Sequence, residues 1–203
     1  MTFIPEQRIE ARAAELWQRH GLVPGFDVER LVDDLGLGLA WEPVVDDGGG
    51  RILGQLLPEG KVVVLNEHYV DLLEEKEGRL RRYTIGHEVG HWILHAEAVR
   101  SGTLSFFDGA RTWCRDGSQD PAERQAEMFS AALLMPRDRL LAALPQSAWS
   151  GWSPVYRLAD IFVVNVTPMA IRLEKLGWMH RNDEGTPVAG RKVPPGQGSL
   201  FEI

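Results

Sequence analysis

In the first third of the chain the spacing of apolar residues switches from helical to strand-like. Ile9, Ala13, Leu16 and Trp17 recur at steps of one, three and four, the mark of one buried helical face. This predicts a helix over residues 5–20, with Pro5 near its start and Gly21 as its stop. A second helix runs from Asp27 to Leu35 and ends at Gly36. Leu37 to Val45 then alternates loosely, as a half-buried strand does. Ile52 to Leu57 and Lys61 to Leu65 are two further strands, and Pro58-Glu59-Gly60 between them reads as a hairpin turn. Asp46 to Gly50 reads as a turn rather than a phosphate loop, because no strand-loop-helix follows it. No internal repeat is visible, and the region predicts a small, largely antiparallel sheet.

The helical period then returns. Asp71 to Glu77 is an acidic, solvated lead-in, and Arg79, Arg81 and Arg82 read as a solvated basic face. From Tyr83 to His95 the pattern is that of a half-buried helix, with Ile85, Val89, Trp92 and Ile93 on one flank. Gly90 costs helix stability, so another backbone is expected to approach it closely. Residues 96–120, with Gly102, Gly109 and Gly117, form a long loop placed to shape a cleft. Asp120 and Pro121 supply an N-cap and a first residue for the next helix, which buries Ala126, Phe129 and Leu133 and ends at Pro136. A short helix follows from Arg137 to Leu144. Ser153 to Phe162 and Thr167 to Leu176 are two more, with Thr167 as cap and Pro168 as opening residue of the second. From Arg181 the chain is rich in Gly, Pro and polar residues and reads as a flexible tail. The fold class is therefore α+β. Residues 1–150 form the main domain with its N-terminal helices, 151–180 a helical, helix-turn-helix-like subdomain, and 181–203 the tail.

The chemistry is concentrated in His87-Glu88-Val89-Gly90-His91, an H-E-x-x-H string. On a helix His87 and His91 lie on one face and can hold one metal ion, with Glu88 placed to take a proton from a water on that metal. A hydrolytic zinc site takes three protein ligands and leaves one position open. The third is sought in Glu123 to Glu127, whose two glutamates share a helix face. Glu123 is assigned as ligand and Glu127 as the carboxylate that orients a ligand histidine through its ring N–H. The structural alternative for Glu123 is a capping-box acid answering Asp120. His95 is read as structural, and His20, His68 and His180 have no partner spacing. Cys114 lies in the loop nine residues before Glu123. It is either a buried small hydrophobe or an inhibitory fourth zinc ligand that closes the open position.

Composition narrows the function further. A net charge of −7 argues against a general phosphate-binding surface. The single cysteine rules out a disulfide framework within the chain and suits a reducing cytoplasm. The N-terminal stretch has no apolar core of a signal peptide, and no run is long enough to span a membrane. DNA binding through residues 153–177, with the metal site structural, is the competing reading, but the would-be reading helix carries only Arg172 and Lys175, opposed by Glu174.

The string HEVGHWILH, followed by E-x-x-A-E-x-F-S-A-A-L-L-M-P from Glu123 to Pro136, resembles the ImmA/IrrE family of zinc metallopeptidases. The approach VVVLN…RRYTIGHEVGH and the stretch RLADIFVVNVTPMAIRLEKLG are similar to that family too, so the resemblance spans about residues 30–178. It implies a zincin-like helical core and gluzincin-like ligands, with the third ligand at Glu123. Position 127 departs from the usual Asn or Asp, and Gln125 stands where a second Glu is common. The resemblance also implies a zinc endopeptidase whose substrate is a helix-turn-helix repressor, cut to derepress a stress, mobile-element or antiphage-defence operon. A substrate strand adding to the edge at 52–57 or 61–65 fits this picture. An activating ligand or nucleic acid is the candidate trigger. Gln197, Leu200 and Phe201 resemble the Q-x-x-L-F peptide that binds the bacterial sliding clamp.

Overall fold

The computed structural model describes residues 4–46, 50–100, 110–111 and 121–190, the side chains of 96–100 and 110–111 excepted. The readings of Cys114, of Asp120 as a cap and of the tail motif at Gln197, Leu200 and Phe201 lie outside the described residues.

Helix α1 (Glu6–His20) buries Ile9, Ala13, Leu16 and Trp17, and Gly21 closes it in the left-handed conformation at φ 58°. The Trp17 indole N–H donates to the Leu133 carbonyl at 2.7 Å. Helix α2 (Val28–Asp34) is capped by Asp27, whose carboxylate accepts from the amides of Glu29 and Arg30.

Strands β1 (Gly38–Glu42), β2 (Ile52–Leu57), β3 (Val62–Asn66) and β4 (Ala110–Arg111) form one sheet in the order β1-β3-β2-β4. The β2–β3 hairpin is antiparallel, as the turn residues predict. Two points differ from the sequence reading. Strand β1 runs parallel to β3, and β3 is interior, so the 61–65 segment is not an edge open to a substrate strand. The cause is the continuous apolar run of β3: Val63, Val64 and Leu65 are fully buried and need cover on both faces. Strand β2 is bordered by β4 opposite Ile52 and Gly54. Asn66 fixes this arrangement. Its buried amide bonds the Val44 N–H and carbonyl, the Ile52 carbonyl and the His68 N–H, which ties the β1–β2 connection across the end of β3.

Helix α3 (Val70–Arg100) is interrupted rather than preceded by a solvated stretch. Lys76, Glu77 and Gly78 take φ of 49°, 63° and 69°, so the chain unwinds there and restarts into the H-E-x-x-H segment. The basic run after the break is not solvated. Arg82 is 8% exposed and donates to the carbonyls of Val163 and Phe26. Arg79 donates to the Val164 carbonyl and to Asp160, and Arg81 pairs with Glu29 and Glu74. The carbonyls at 163 and 164 follow the end of helix α6 (Ser153–Phe162), where Val163 is left-handed; such carbonyls lack helical partners and need outside donors.

Helix α4 (Pro121–Leu134) packs on α1 and α3 and leads into α5 (Arg137–Ala143). Helix α7 (Val166–Lys175) begins one residue earlier than predicted. Asn165 is its N-cap, without a side-chain capping bond, and Thr167 lies inside the first turn. Part of the segment read as a flexible tail, residues 181–190, is folded. Strands β5 (Met179–Arg181) and β6 (Pro187–Ala189) pair antiparallel, and Ser150 bridges to Val188. The turn explains this: Asn182 Oδ1 accepts from the amides of Glu184 and Thr186, Gly185 supplies φ 77°, and Met179 anchors the hairpin in the core.

Asn66→Ala strips partners from buried backbone groups. It is expected to cost about 3 kcal/mol of stability, measured by chemical denaturation; a loss below about 1 kcal/mol would contradict its role as the tie across β3.

Candidate metal centre

His87 and His91 project from one face of α3, at 8% and 1% exposure, and Glu88 beside them is 1% exposed. What brings Glu123 to them is a near-contact of backbones. A Cβ at Gly90 would lie 2.9 Å from the Ala126 carbonyl oxygen and 3.0 Å from the Ala126 Cα. One turn earlier, a Cβ at Gly86 would lie 2.8 Å from Ser130 Oγ, which itself donates to the Tyr83 carbonyl. The close approach expected at Gly90 is therefore present, and α4 is the backbone that makes it. Gly86 and Ser130 escaped the sequence reading. The signal for the first was a second glycine four residues before Gly90 on the same helical face.

Three donors converge as a result. His87 Nε2 lies 3.0 Å from Glu123 Oε2, His91 Nε2 lies 3.1 Å from Glu123 Oε1, and the two ring nitrogens are 3.0 Å apart. Around a tetrahedral zinc with ligands at about 2.0–2.2 Å, neighbouring donors stand about 3.3 Å apart, so the trio fits such an ion after an outward shift of a few tenths of an ångström. Among the described residues it is the only cluster of three or more such side chains able to hold a metal.

Electrostatics in the trio is tightly coupled. Burial lowers the pKa of His87, but the hydrogen bond to Glu123 and the charges of Glu88, Glu123 and Glu127 outweigh it and raise the pKa overall. Burial takes His91 down to about 4, against the pull of its bond to Glu123. For Glu123 burial raises the pKa, yet the hydrogen bonds and charge of both histidines hold it down at about 2. As three side chains alone, the cluster is an ionised carboxylate sharing a proton with His87 beside a neutral His91. A metal needs both imidazoles neutral and displaces that proton.

The other residues singled out in the sequence separate clearly. Hydrogen bonds and ion pairs link the His87 and His91 rings to Glu123 and to one another; Glu127 lies one turn further along α4, half-buried. Glu127 acts on the site through its charge, raising the pKa of His87 and of Tyr83. His95 is buried, its ring 5.8 Å from that of His91, and stays outside the donor trio. His20 pairs with Asp34 and His180 with the Gly190 carbonyl, both far from this chemistry in role.

An H-E-x-x-H helix completed by a glutamate from a second helix, under a small sheet, defines a metallopeptidase-type centre. The family model described as the IrrE N-terminal-like domain, Peptidase_M78, matches residues 49–174, and the chain belongs to that metallopeptidase family. Among solved structures, a Mycobacterium tuberculosis transcriptional regulator is similar at a TM-score of 0.55 and 13% identity, over 93% of this chain and 56% of that one. That likeness is one of fold, and the chain spans little more than half of that protein. No curated protein matches the chain significantly. Among the described residues no helix is long and apolar enough to cross a membrane.

Two outcomes are expected. Gly90→Ala should push α4 away and weaken zinc binding at least tenfold, read by competition with a chromophoric chelator; unchanged affinity would separate the glycine from ligand placement. Zinc affinity should fall as pH is lowered from above the ordinary histidine value, because a proton competes for His87, whose pKa is raised; a flat profile would contradict the shared proton.

Proposed function

We propose that this protein is a zinc-dependent endopeptidase that cleaves a helix-turn-helix transcriptional repressor and so derepresses a stress, mobile-element or antiphage-defence operon. The observation that carries the enzymatic part is the convergence of His87, His91 and Glu123 with Glu88 buried beside them. Membership of the IrrE-like metallopeptidase family supports both the reaction class and the choice of zinc.

A zinc ion held by the trio would supply Lewis acidity to the scissile carbonyl and a water of lowered pKa. Glu88 performs the proton work. Its carboxylate takes a proton from the attacking water and returns it to the amine that leaves. Glu88 is 1% exposed, and its charge adds to the hydrogen bond with Glu123 in raising the pKa of His87. Glu123 holds both imidazoles in one orientation, and the glycine contact between α3 and α4 keeps that geometry rigid.

DNA binding through residues 153–177 loses its main cation. Arg172 is 4% exposed, donates to the Met135 carbonyl and pairs with Glu10 at 2.6 Å. Lys175 is then the one exposed cation on α7, too few for a phosphate-binding helix in a chain of net charge −7. The surface of α6 and α7 is better suited to contact with a protein.

Glu88→Gln should retain one zinc per chain and the fold, yet cut repressor more slowly by about 10³-fold, since an amide accepts no proton. The assay is mass spectrometry of fragments from a small helix-turn-helix repressor encoded beside this chain, with and without chelator. Cleavage by the variant near the wild-type rate would sink the mechanism.

A further inference from the structure

A cavity of about 300 Å³ lies where α1, α3, α4 and α7 meet, and none of the three metal-holding side chains lines it. Its walls carry six charged side chains, three acidic and three basic. Two of these, Glu10 and Arg172, neutralise each other in the ion pair described above. The other four are Glu6 at the start of α1, Arg124 and Glu127 on α4, and Lys175 at the end of α7. Among the described residues, the side chains of these four make no hydrogen bond or ion pair. Between the charges the lining includes the apolar side chains of Ile9, Met128 and Ile171.

This lining has a specific chemical preference. The six charges sum to zero, so the lining as a whole carries no net preference for a cation or an anion. A neutral molecule with separated charges gains at both ends. An ammonium finds Glu127, whose carboxylate is half-buried and so less screened than a surface acid. A carboxylate finds Arg124 or Lys175. The volume is at the small end for ligand cavities, which limits the occupant to about amino-acid size. An aliphatic side chain suits the apolar wall.

We propose that this cavity is a binding site for a small zwitterion, an α-amino acid with an aliphatic side chain, held by Glu127 at its ammonium and by Arg124 and Lys175 at its carboxylate. This gives Glu127 a partner that the ligand histidines do not provide. Helix α4 carries both Glu127 and Glu123, so the site is joined to the metal centre by one turn of helix. The inference does not rest on proteolysis.

The test is calorimetric titration of the full chain, metal-free and zinc-loaded, with L-alanine, L-valine, L-leucine and L-methionine. Leucinamide, which lacks the carboxylate, and 4-methylpentanoate, which lacks the ammonium, serve as half-ligands. At least one amino acid is expected to bind saturably at a ratio of one, with each half-ligand at least tenfold weaker. Glu127→Gln and the double variant Arg124→Ala, Lys175→Ala should each weaken binding at least tenfold. The double variant changes only exposed side chains, so it tests the carboxylate end without disturbing the core. Absence of binding by all four amino acids, half-ligands that bind as well as the whole, or affinity unchanged in the double variant would each overturn the proposal.

Discussion

The backbone of α4 touches α3 at Gly90, the Ser130 side chain fills the space left at Gly86, and the candidate metal centre depends on that contact. Glutamate is a short ligand. Its carboxylate reaches two imidazoles on another helix only if the two helix axes come closer than side chains on both faces would allow. Ala126 and Ser130 on α4 complete the contact with small groups, and Ser130 adds a hydrogen bond to the Tyr83 carbonyl. The two glycines carry a cost in helix stability of about 1 kcal/mol each, which the packing of α3 on the sheet and on α4 offsets. Gly54 in β2 serves the same end from the other side, since a Cβ there would lie 2.8 Å from Thr84 Cγ2.

Charge is arranged around this contact in two ways. In the centre itself the hydrogen bonds and charge of the two histidines keep Glu123 ionised, while burial keeps His91 uncharged. That is the protonation state a divalent metal requires of two of its three ligands. Away from the centre, arginines do structural work. Arg79 and Arg82 satisfy carbonyls left open beyond the end of α6, and Arg172 closes onto Met135 and Glu10. The C-terminal helices are thereby fixed to the body of the protein by buried cations, which removes those cations from any role on the surface.

Much of this was legible in the sequence. The helical stripe of α1, the stop of α2, the β2–β3 hairpin and the H-E-x-x-H face of α3 follow from spacing and from turn residues alone. So does the demand for a neighbour at Gly90, because an unexplained glycine in a helix already implies close approach. The idea that a third ligand must come from a second helix leads to the pair Glu123 and Glu127, and the family resemblance points to Glu123. These are local features, governed by periodicities of 3.6 and 2 and by the conformational needs of Gly, Pro and Asp.

What the tertiary structure decided is what each face meets. Periodicity marks a face as buried but does not say against which element, so the parallel pairing of β1 with β3 and the interior place of β3 had to come from the sheet. The run of arginines after Gly78 looks the same whether it faces water or the open carbonyls at the end of α6. Asn182 and Gly185 make a turn only because Met179 has a core to enter. Glu123 and Glu127 share one helix face in the sequence, yet the crossing of α3 and α4 brings the first to the histidines and leaves the second lining a cavity. Long-range contact separates residues that local spacing treats alike.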